Sequence, residues 1–160
     1  MSTSPERRLL AAVASRSART RFEAKVRRLD HVECWIWTGA ISGQGHGRFW
    51  VAQGHVVIAH RFAYMASIPS PVLGDVPAVV AHRCDNPLCQ NPAHLTPSSP
   101  ALNRAEWASR RHVPGGPLRD VRGARGRAHE LRDAAKAGAS IAETMSAGLR
   151  CVDRGQGRLW

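Results

Sequence analysis

Hydrophobic runs of membrane-spanning length are absent from this sequence. The apolar run of residues 9–14 is too short for the core of a signal peptide, and arginines precede and follow it closely. We therefore expect a soluble protein of the cytoplasm that has no membrane as a partner.

Acidic residues and lysine are also scarce. The chain has 12 Asp and Glu but 23 Lys and Arg, a formal net charge of +11 at pH 7, and only two of the basic residues are lysine. Arginine binds phosphate through two parallel hydrogen bonds. Basic and acidic residues number eight and three in residues 1–30, four and three in 31–105, and eleven and six in 106–160. This nearly neutral centre between two basic flanks favours nucleic acid as the partner.

Cysteine is rare as well, but two of the four cysteines lie close together. The stretch AHRCDNPLCQNPAHL contains the pattern H-x-C-x4-C-x4-H, formed by His82, Cys84, Cys89 and His94. Two Asn-Pro pairs exclude a regular helix or strand there, so the loop needs another source of order. In a cytoplasmic chain this spacing favours a metal over a disulfide, and structural zinc takes four such ligands in a tetrahedron.

Three of the four ligands come from Cys84, Cys89 and His94, and Cys34 is the preferred fourth. Cys34 begins a predicted strand that contains two tryptophans, and we expect this strand to enter the core. The alternatives for the fourth ligand are His82, His60, Cys151 and His31. The alternative for the whole cluster is a group of buried free thiols beside a buried histidine.

Hydrophobic periodicity and turn residues predict an α+β fold. In the first half of the chain we expect a basic helix over residues 5–29, strands at 34–38, 46–52 and 55–58, and a short helix at 59–67. The glycine-rich turns between the strands favour antiparallel pairing.

The segment around the cysteine loop predicts a strand, a loop, a second strand and a helix. The apolar run of residues 76–82 delivers His82 at the end of the first strand. Ser99 is suited to cap the helix and Pro100 to be its first residue, which places Asn103 about one turn into the helix.

We expect three segments along the chain. These are a basic N-terminal helical extension (1–30), a central domain (31–112) and a linker with a helical C-terminal extension (113–160). Helices at 125–137 and 140–147 would form part of a helix-turn-helix.

The central domain resembles a known family in five short stretches. These stretches are CWIWTGA, GHGRFW, AHRFAY, AHRCDNPLCQNPAHL and ALNR. They are similar to the HNH endonucleases of the His-Me finger (ββα-metal) superfamily, and specifically to the His-Cys box homing endonuclease type. The resemblance extends from Cys34 to Arg104, about half of the chain.

The resemblance implies a fold and a set of site residues. The fold is a small antiparallel sheet with a zinc-bound ββα-metal nuclease core, flanked here by basic helices. His82 corresponds to the general base, and Asn103 to the residue that binds catalytic magnesium or manganese. Arg48 corresponds to the arginine that contacts the scissile phosphate, with Arg61 as its substitute. The implied ligands of the structural zinc are Cys34, Cys84, Cys89 and His94.

The implied activity is hydrolysis of phosphodiester bonds in double-stranded DNA, the implied partner, to leave 5′-phosphate and 3′-hydroxyl ends. Many members have an acidic metal ligand immediately before the general base, but that position is Ala81 here. The catalytic metal would therefore depend on Asn103, phosphate and water. A homodimer would cut both strands, and an origin in a phage or another mobile element would fit such an enzyme. We predict DNA contacts from Arg48, Arg61, Arg83, Arg104, Arg110 and Arg111.

Two other function classes fit parts of the sequence. A zinc-stabilised DNA-binding protein that does not cleave, such as a regulator or packaging accessory, fits the basic flanks and Ala81. The presence of both His82 and Asn103 favours the nuclease. A structural RNA-binding module ranks last, because the sequence lacks the exposed aromatic-plus-basic pattern of the common RNA folds. Side chains expected to pack rather than act on a ligand are His60, Trp35, Trp37, Trp50 and Trp107.

Overall fold

The computed structural model describes residues 4–29 and 32–153 and has an α+β architecture. Its named strands form three two-stranded antiparallel sheets, where one small sheet was predicted. The strands are β1 (Val26–Leu29), β2 (Val32–Trp37), β3 (Arg48–Ala52), β4 (His55–Ile58), β5 (Val79–His82) and β6 (Leu95–Ser98). The α-helices are α1 (Pro5–Ala14), α2 (Arg16–Glu23), α3 (Ala59–Ser67), α4 (Pro100–Arg110), α5 (Gly123–Ala137) and α6 (Ile141–Ala147).

The N-terminal segment differs from the single helix predicted over residues 5–29. Ser15 has an extended backbone that ends α1, and its side chain caps α2 by accepting a hydrogen bond from the Ala18 N–H at 3.3 Å. Residues 26–29 are not helical but form β1, which pairs with β2. The pairing overrides helix propensity, which is a weak local preference. The predicted segment boundary between residues 30 and 31 thus lies between two paired strands.

An aromatic cluster in the core joins the N-terminal helices to the strands. Phe22 of α2 packs with ring-centroid distances of 4.7 Å to Phe62, 5.2 Å to Trp37 and 5.3 Å to Phe49. All four side chains are at most 4% exposed. Leu131 of α5 belongs to the same apolar core, so all three predicted segments contribute to it.

Two of the four tryptophans that were expected in the core are exposed, so the prediction was wrong for them. Trp37 is fully buried and Trp35 is half-buried, but Trp50 is 57% exposed and Trp107 is 48% exposed. Side chains alternate along β3, and because Phe49 faces the core, Trp50 faces solvent. Trp107 belongs to α4, none of whose residues is buried.

The hairpin of β5 and β6 and the helix after it confirm the predicted order of strand, loop, strand and helix. His82 is the last residue of β5, and the loop of residues 83–94 leads to β6. Ser99 caps α4 by accepting a hydrogen bond from the Leu102 N–H at 3.2 Å, and Pro100 is the first helical residue. The helix that carries Asn103 therefore begins directly after the hairpin that carries His82.

The two C-terminal helices lie within two residues of their predicted bounds. Gly138 ends α5 with a φ of 69°, and Ser140 caps α6 by accepting a hydrogen bond from the Glu143 N–H at 3.2 Å. The last part of the predicted helix-turn-helix region, residues 154–160, lies outside the described residues. Among the described helices, none is long and apolar enough to cross a membrane.

The position of Phe22 makes a stability prediction. We expect Phe22→Ala to lower the free energy of unfolding by about 3–5 kcal/mol, because it removes a buried ring and leaves a cavity. The exposed Ser17 on the same helix provides the control, and Ser17→Ala should change this free energy by less than about 0.5 kcal/mol. Urea denaturation of both variants measures the difference, and equal effects would contradict a core that includes α2.

Candidate functional site

Four side chains form a cluster whose geometry fits a tetrahedral metal ion. The Sγ atoms of Cys34, Cys84 and Cys89 and one ring nitrogen of His94 all lie within 4.8 Å of one another. His94 Nδ1 is 3.7 Å from Cys34 Sγ and 3.5 Å from Cys89 Sγ. In a zinc tetrahedron with bonds of about 2.3 Å to sulfur and 2.0 Å to nitrogen, these separations would be about 3.5 Å. The cluster therefore has the donor types and the spacing that zinc needs.

The chain assembles this cluster by pairing the cysteine loop with β2. Cys89 forms an isolated antiparallel bridge with Ile36, and the Trp37 N–H donates to the Leu88 carbonyl at 3.0 Å. The Gln90 N–H donates to the carbonyl of Trp35 at 2.8 Å. Because β2 is held in the core, these hydrogen bonds bring Cys34 to the loop from 50 residues earlier in the sequence.

The Asn-Pro pairs that exclude regular structure instead shape the loop around the cysteines. Asn86 Oδ1 accepts a hydrogen bond from the Leu88 N–H at 3.2 Å, and Asn91 Oδ1 accepts one from the Ala93 N–H at 3.0 Å. Asn91 Nδ2 also donates to the carbonyl of Glu33 on β2 at 2.8 Å. The backbone N–H of Asn91 donates to Cys89 Sγ at 3.4 Å. The two asparagines therefore hold both ends of the loop in turns.

The three thiols are too close to ionise independently. Hydrogen bonds from Cys84 and Cys89 stabilise the thiolate of Cys34 and lower its pKa to about 2. The same contacts with Cys34 raise the pKa of Cys84 to about 12 and the pKa of Cys89 further. Thiolates this close together repel one another, and a divalent cation would offset that repulsion.

A cavity of about 620 Å³ adjoins the cluster on the side of the C-terminal helices. Arg127 of α5 lines it with a side chain that is 5% exposed, and Arg127 Nε lies 3.4 Å from Asp120 Oδ2. Burial lowers the pKa of Arg127, while Asp120 and the nearby cysteines favour its charged form. The sequence analysis missed this pair, because no local pattern connects α5 to the cysteine loop.

The other residues that were considered as the fourth ligand are engaged elsewhere. Nε2 of His82 lies 3.0 Å from the carbonyl oxygen of Cys89, and Nε2 of His60 lies 3.0 Å from that of Val80. Cys151 is exposed in a 3-10 turn near the C-terminus, and His31 lies outside the described residues. The structure therefore brings together the four residues predicted as zinc ligands: Cys34, Cys84, Cys89 and His94.

His82 is held by the cysteine loop but keeps one ring nitrogen available. A carbonyl oxygen only accepts hydrogen bonds, so Nε2 is the nitrogen that donates to Cys89, and in the neutral ring Nδ1 carries a lone pair. Burial lowers the pKa of His82 to about 4, although the Cys89 carbonyl favours the charged ring. His82 as a whole is half-buried, and its ring is a neutral imidazole near pH 7.

Two more histidines surround His82, and one of them was not predicted as a site residue. The ring centroid of His82 lies 4.3 Å from that of His60 and 6.3 Å from that of His46. His60 is buried, as expected for a packing residue, and burial followed by repulsion from the other two rings holds its pKa well below the usual range. His46 was missed as a site residue, although it lies in the stretch GHGRFW. The next residue in that stretch, Gly47, packs so closely against Trp37 that a Cβ atom would not fit there.

Asn103 occupies the predicted place on the first turns of α4. Its N–H donates to the Ser99 carbonyl at 2.9 Å, and its side chain is half-buried. Within the described part of the chain, no hydrogen bond engages the Asn103 side-chain amide. The amide oxygen is therefore available to a ligand from outside the chain.

The arginines predicted to contact DNA fall into two groups. Arg61 and Arg110 are engaged within the protein: Arg61 donates to the Pro77 carbonyl at 3.0 Å, and Arg110 lies 3.0 Å from Asp85 Oδ1. The second group is exposed on the surface, and Arg111 in this group lies over the Trp107 ring at 5.0 Å. The exposed arginines are Arg48, Arg83, Arg104 and Arg111.

The fold and site together define an α+β protein with a Cys3His cluster that could bind a metal ion such as zinc. Parts of two proteins of Escherichia phage T7 are similar to it. Protein 2.8 is 38% identical over 78 residues, 48% of this chain and 50% of the T7 protein. Protein 7.7 is 39% identical over 80 residues, 49% of this chain and 57% of the T7 protein.

The chain thus spans about half the length of the curated relatives that it matches. Because both are phage proteins, they fit the expectation of a phage or mobile-element origin. No family model matches the chain, and no solved structure does either.

The cluster makes a prediction about zinc and stability. Purified protein should contain one zinc ion per chain, and Cys89→Ser should lose it together with much of the thermal stability, because the metal contributes folding free energy. Cys151→Ser is the matched control, since this cysteine is exposed and outside the cluster. Metal analysis and thermal unfolding measure both variants. A Cys89→Ser protein with full zinc content and an unchanged Tm would refute the structural role.

Proposed function

We propose that this protein is a metal-dependent DNA endonuclease with a His-Me finger (ββα-metal) core. In this proposal it hydrolyses phosphodiester bonds to leave 5′-phosphate and 3′-hydroxyl ends. The observation that carries the proposal is the state of His82. Its Nε2–H donates to the Cys89 carbonyl, which leaves a neutral Nδ1 as a proton acceptor at the end of a hairpin.

His82 is the general base in this proposal. As the oxygen of a water molecule forms its bond to phosphorus, Nδ1 takes the proton of that water. The bond between phosphorus and the 3′ oxygen then breaks, and the departing oxygen receives a proton from solvent. The depressed pKa of His82 keeps the ring neutral at pH 7, so Nδ1 has a lone pair for this proton.

Asn103 is the protein ligand of the catalytic cation in this proposal. Its side-chain amide makes no hydrogen bond to another described residue, and amide oxygens are suitable ligands for Mg²⁺ or Mn²⁺. A cation bound there supplies Lewis acidity to the scissile phosphate and the departing oxygen. Ala81, which replaces the acidic residue common in the family, is buried and offers no ligand atom, so we expect weak affinity for the cation without DNA.

Arg48 neutralises charge on the scissile phosphate in this proposal. It begins β3, is exposed, and lies two residues after His46, whose ring is close to His82. Arg61 is a weaker candidate, because its guanidinium already donates a hydrogen bond to the Pro77 carbonyl.

Zinc has a supporting role in the proposed enzyme. The loop that would bind it also provides the Cys89 carbonyl that orients the His82 ring. The metal ligand His94 and the base His82 therefore have separate tasks. In the proposal, loss of zinc removes activity by disordering the loop rather than by removing a reacting group.

A supercoiled-plasmid assay tests the proposed function. Wild-type protein with Mg²⁺ or Mn²⁺ should produce nicked or linear DNA. His82→Ala should be slower by about 100-fold or more, because a general base contributes about that much. Asn103→Ala should also lose cleavage without losing zinc or thermal stability. The exposed His112 provides the matched control, and His112→Ala should cleave as the wild type does.

The outcomes separate the nuclease from the alternative function. Protein that binds DNA tightly but leaves every DNA substrate intact with either cation would be the non-cleaving DNA-binding protein instead. Cleavage that is the same in wild type and His82→Ala, at equal zinc content, would overturn the assignment of the base. A nicked product indicates one active centre at a time, and a linear product indicates a dimer that cuts both strands.

A further inference from the structure

The exposed side of helix α4 begins next to Asn103. One turn of an α-helix advances the chain by about 3.6 residues, so Asn103, Trp107 and Arg111 follow each other with a rotation of about 40° at each step. Asn103 and Arg110 are half-buried, whereas Trp107 and Arg111 are exposed. The proposed metal ligand thus lies at the edge of an exposed strip, which we call the α4 strip and which consists of Arg104, Trp107 and Arg111.

Trp107 is an unusual residue to leave on the surface of a small domain. Its side chain is 48% exposed, and α4 buries none of its residues. The guanidinium of Arg111 lies over the Trp107 ring, 5.0 Å from its centroid, so a cation lies against one face of this half-exposed ring. Such a pair is suited to a ligand that is both flat and anionic.

The charge of the α4 strip specifies the kind of ligand further. Arg104 and Arg111 are cations on the strip, and Arg83 is exposed at the start of the neighbouring loop. Glu106, the acidic residue of α4, lies 4.0 Å from Arg110 on the inner side of the helix. The exposed strip is therefore positive and aromatic, which complements the phosphates and bases of a nucleic acid.

We propose that Trp107 stacks on an unpaired base of the DNA strand whose phosphate is held near Asn103. The proposal rests on the proposed nuclease function and names its substrate class as single-stranded or locally unpaired DNA. Trp107 lies about 6 Å along the helix axis from Asn103, so the stacked base belongs to a nucleotide close to the cut.

An intact duplex does not offer Trp107 a stacking partner. Inside a duplex both faces of each base are covered by neighbouring bases, and only base edges reach the grooves. A single strand, a bulge or a mismatch exposes a base face at low cost. The chemistry of Trp107 thus distinguishes unpaired from fully paired substrate without reading sequence.

A binding experiment without added Mg²⁺ separates this proposal from cleavage. Fluorescence anisotropy measures the affinity for a labelled single strand, a duplex with a central bulge and a perfect duplex at one salt concentration. Trp107→Ala should weaken binding of the first two by roughly 5- to 100-fold, as expected for one lost base stack. Trp107→Phe should retain most of the affinity, and binding of the perfect duplex should change by less than about twofold, because phosphate contacts dominate it.

Leu102 provides the matched control on the same helix. It is 51% exposed but lies about 140° around the helix from Trp107, so Leu102→Ala should bind all three DNAs as the wild type does. Stacking should also quench tryptophan fluorescence when the single strand is added to wild type, and most of this quenching should disappear in Trp107→Phe.

Four outcomes would overturn the proposal. The first two are an unchanged affinity of Trp107→Ala for the single strand and an equal loss of affinity for all three DNAs. The other two are a wild type that uses Trp107 to bind RNA more tightly than DNA, and a wild type that binds no DNA at all. If the wild type cleaves plasmid and Trp107→Ala cleaves bulged DNA at the normal rate, the stacking role is refuted and the nuclease proposal stands. Stacking without any cleavage would remove the nuclease while leaving the binding surface intact.

Discussion

Hydrogen bonds between β2 and the cysteine loop are the contacts on which the proposed site depends. They bring Cys34 to within ligand distance of residues far along the chain, and they fix the Cys89 carbonyl that accepts from His82. A loop with two Asn-Pro pairs cannot form a regular helix or strand, so its order depends on its own turns and on these hydrogen bonds to β2. The orientation of the His82 ring is thus a consequence of how β2 is packed.

The packing of β2 depends in turn on parts of the chain that look peripheral in the sequence. β1 pairs with β2, and Phe22 packs on Trp37 at its end. The N-terminal segment therefore supports the site through the core, besides any contribution of its arginines to DNA affinity. On the other side of the cluster, Arg127 of α5 places a buried cation beside the cysteines.

Local patterns predicted the ligand spacing, the cap of α4 and the order of elements around His82, because each depends on residues that are near in sequence. Other features depend on partners that are distant in sequence. The strand at residues 26–29 forms only because β2 pairs with it. Trp50 is exposed because it lies on the solvent face of β3, and Trp107 because it lies on α4, which has no buried residue. His46 was overlooked for the same reason, since its proximity to His82 arises from tertiary packing.

Anomalous diffraction at the zinc and manganese edges, from a crystal grown with DNA and Mn²⁺, tests the division of roles between the two histidines most directly. We predict a zinc peak between the three cysteine sulfurs and His94, and a separate manganese peak beside Asn103. His82 should be a ligand of neither metal and should face the scissile phosphate. A zinc ion bound by His82, or no ion at the Cys3His cluster, would refute this division of roles.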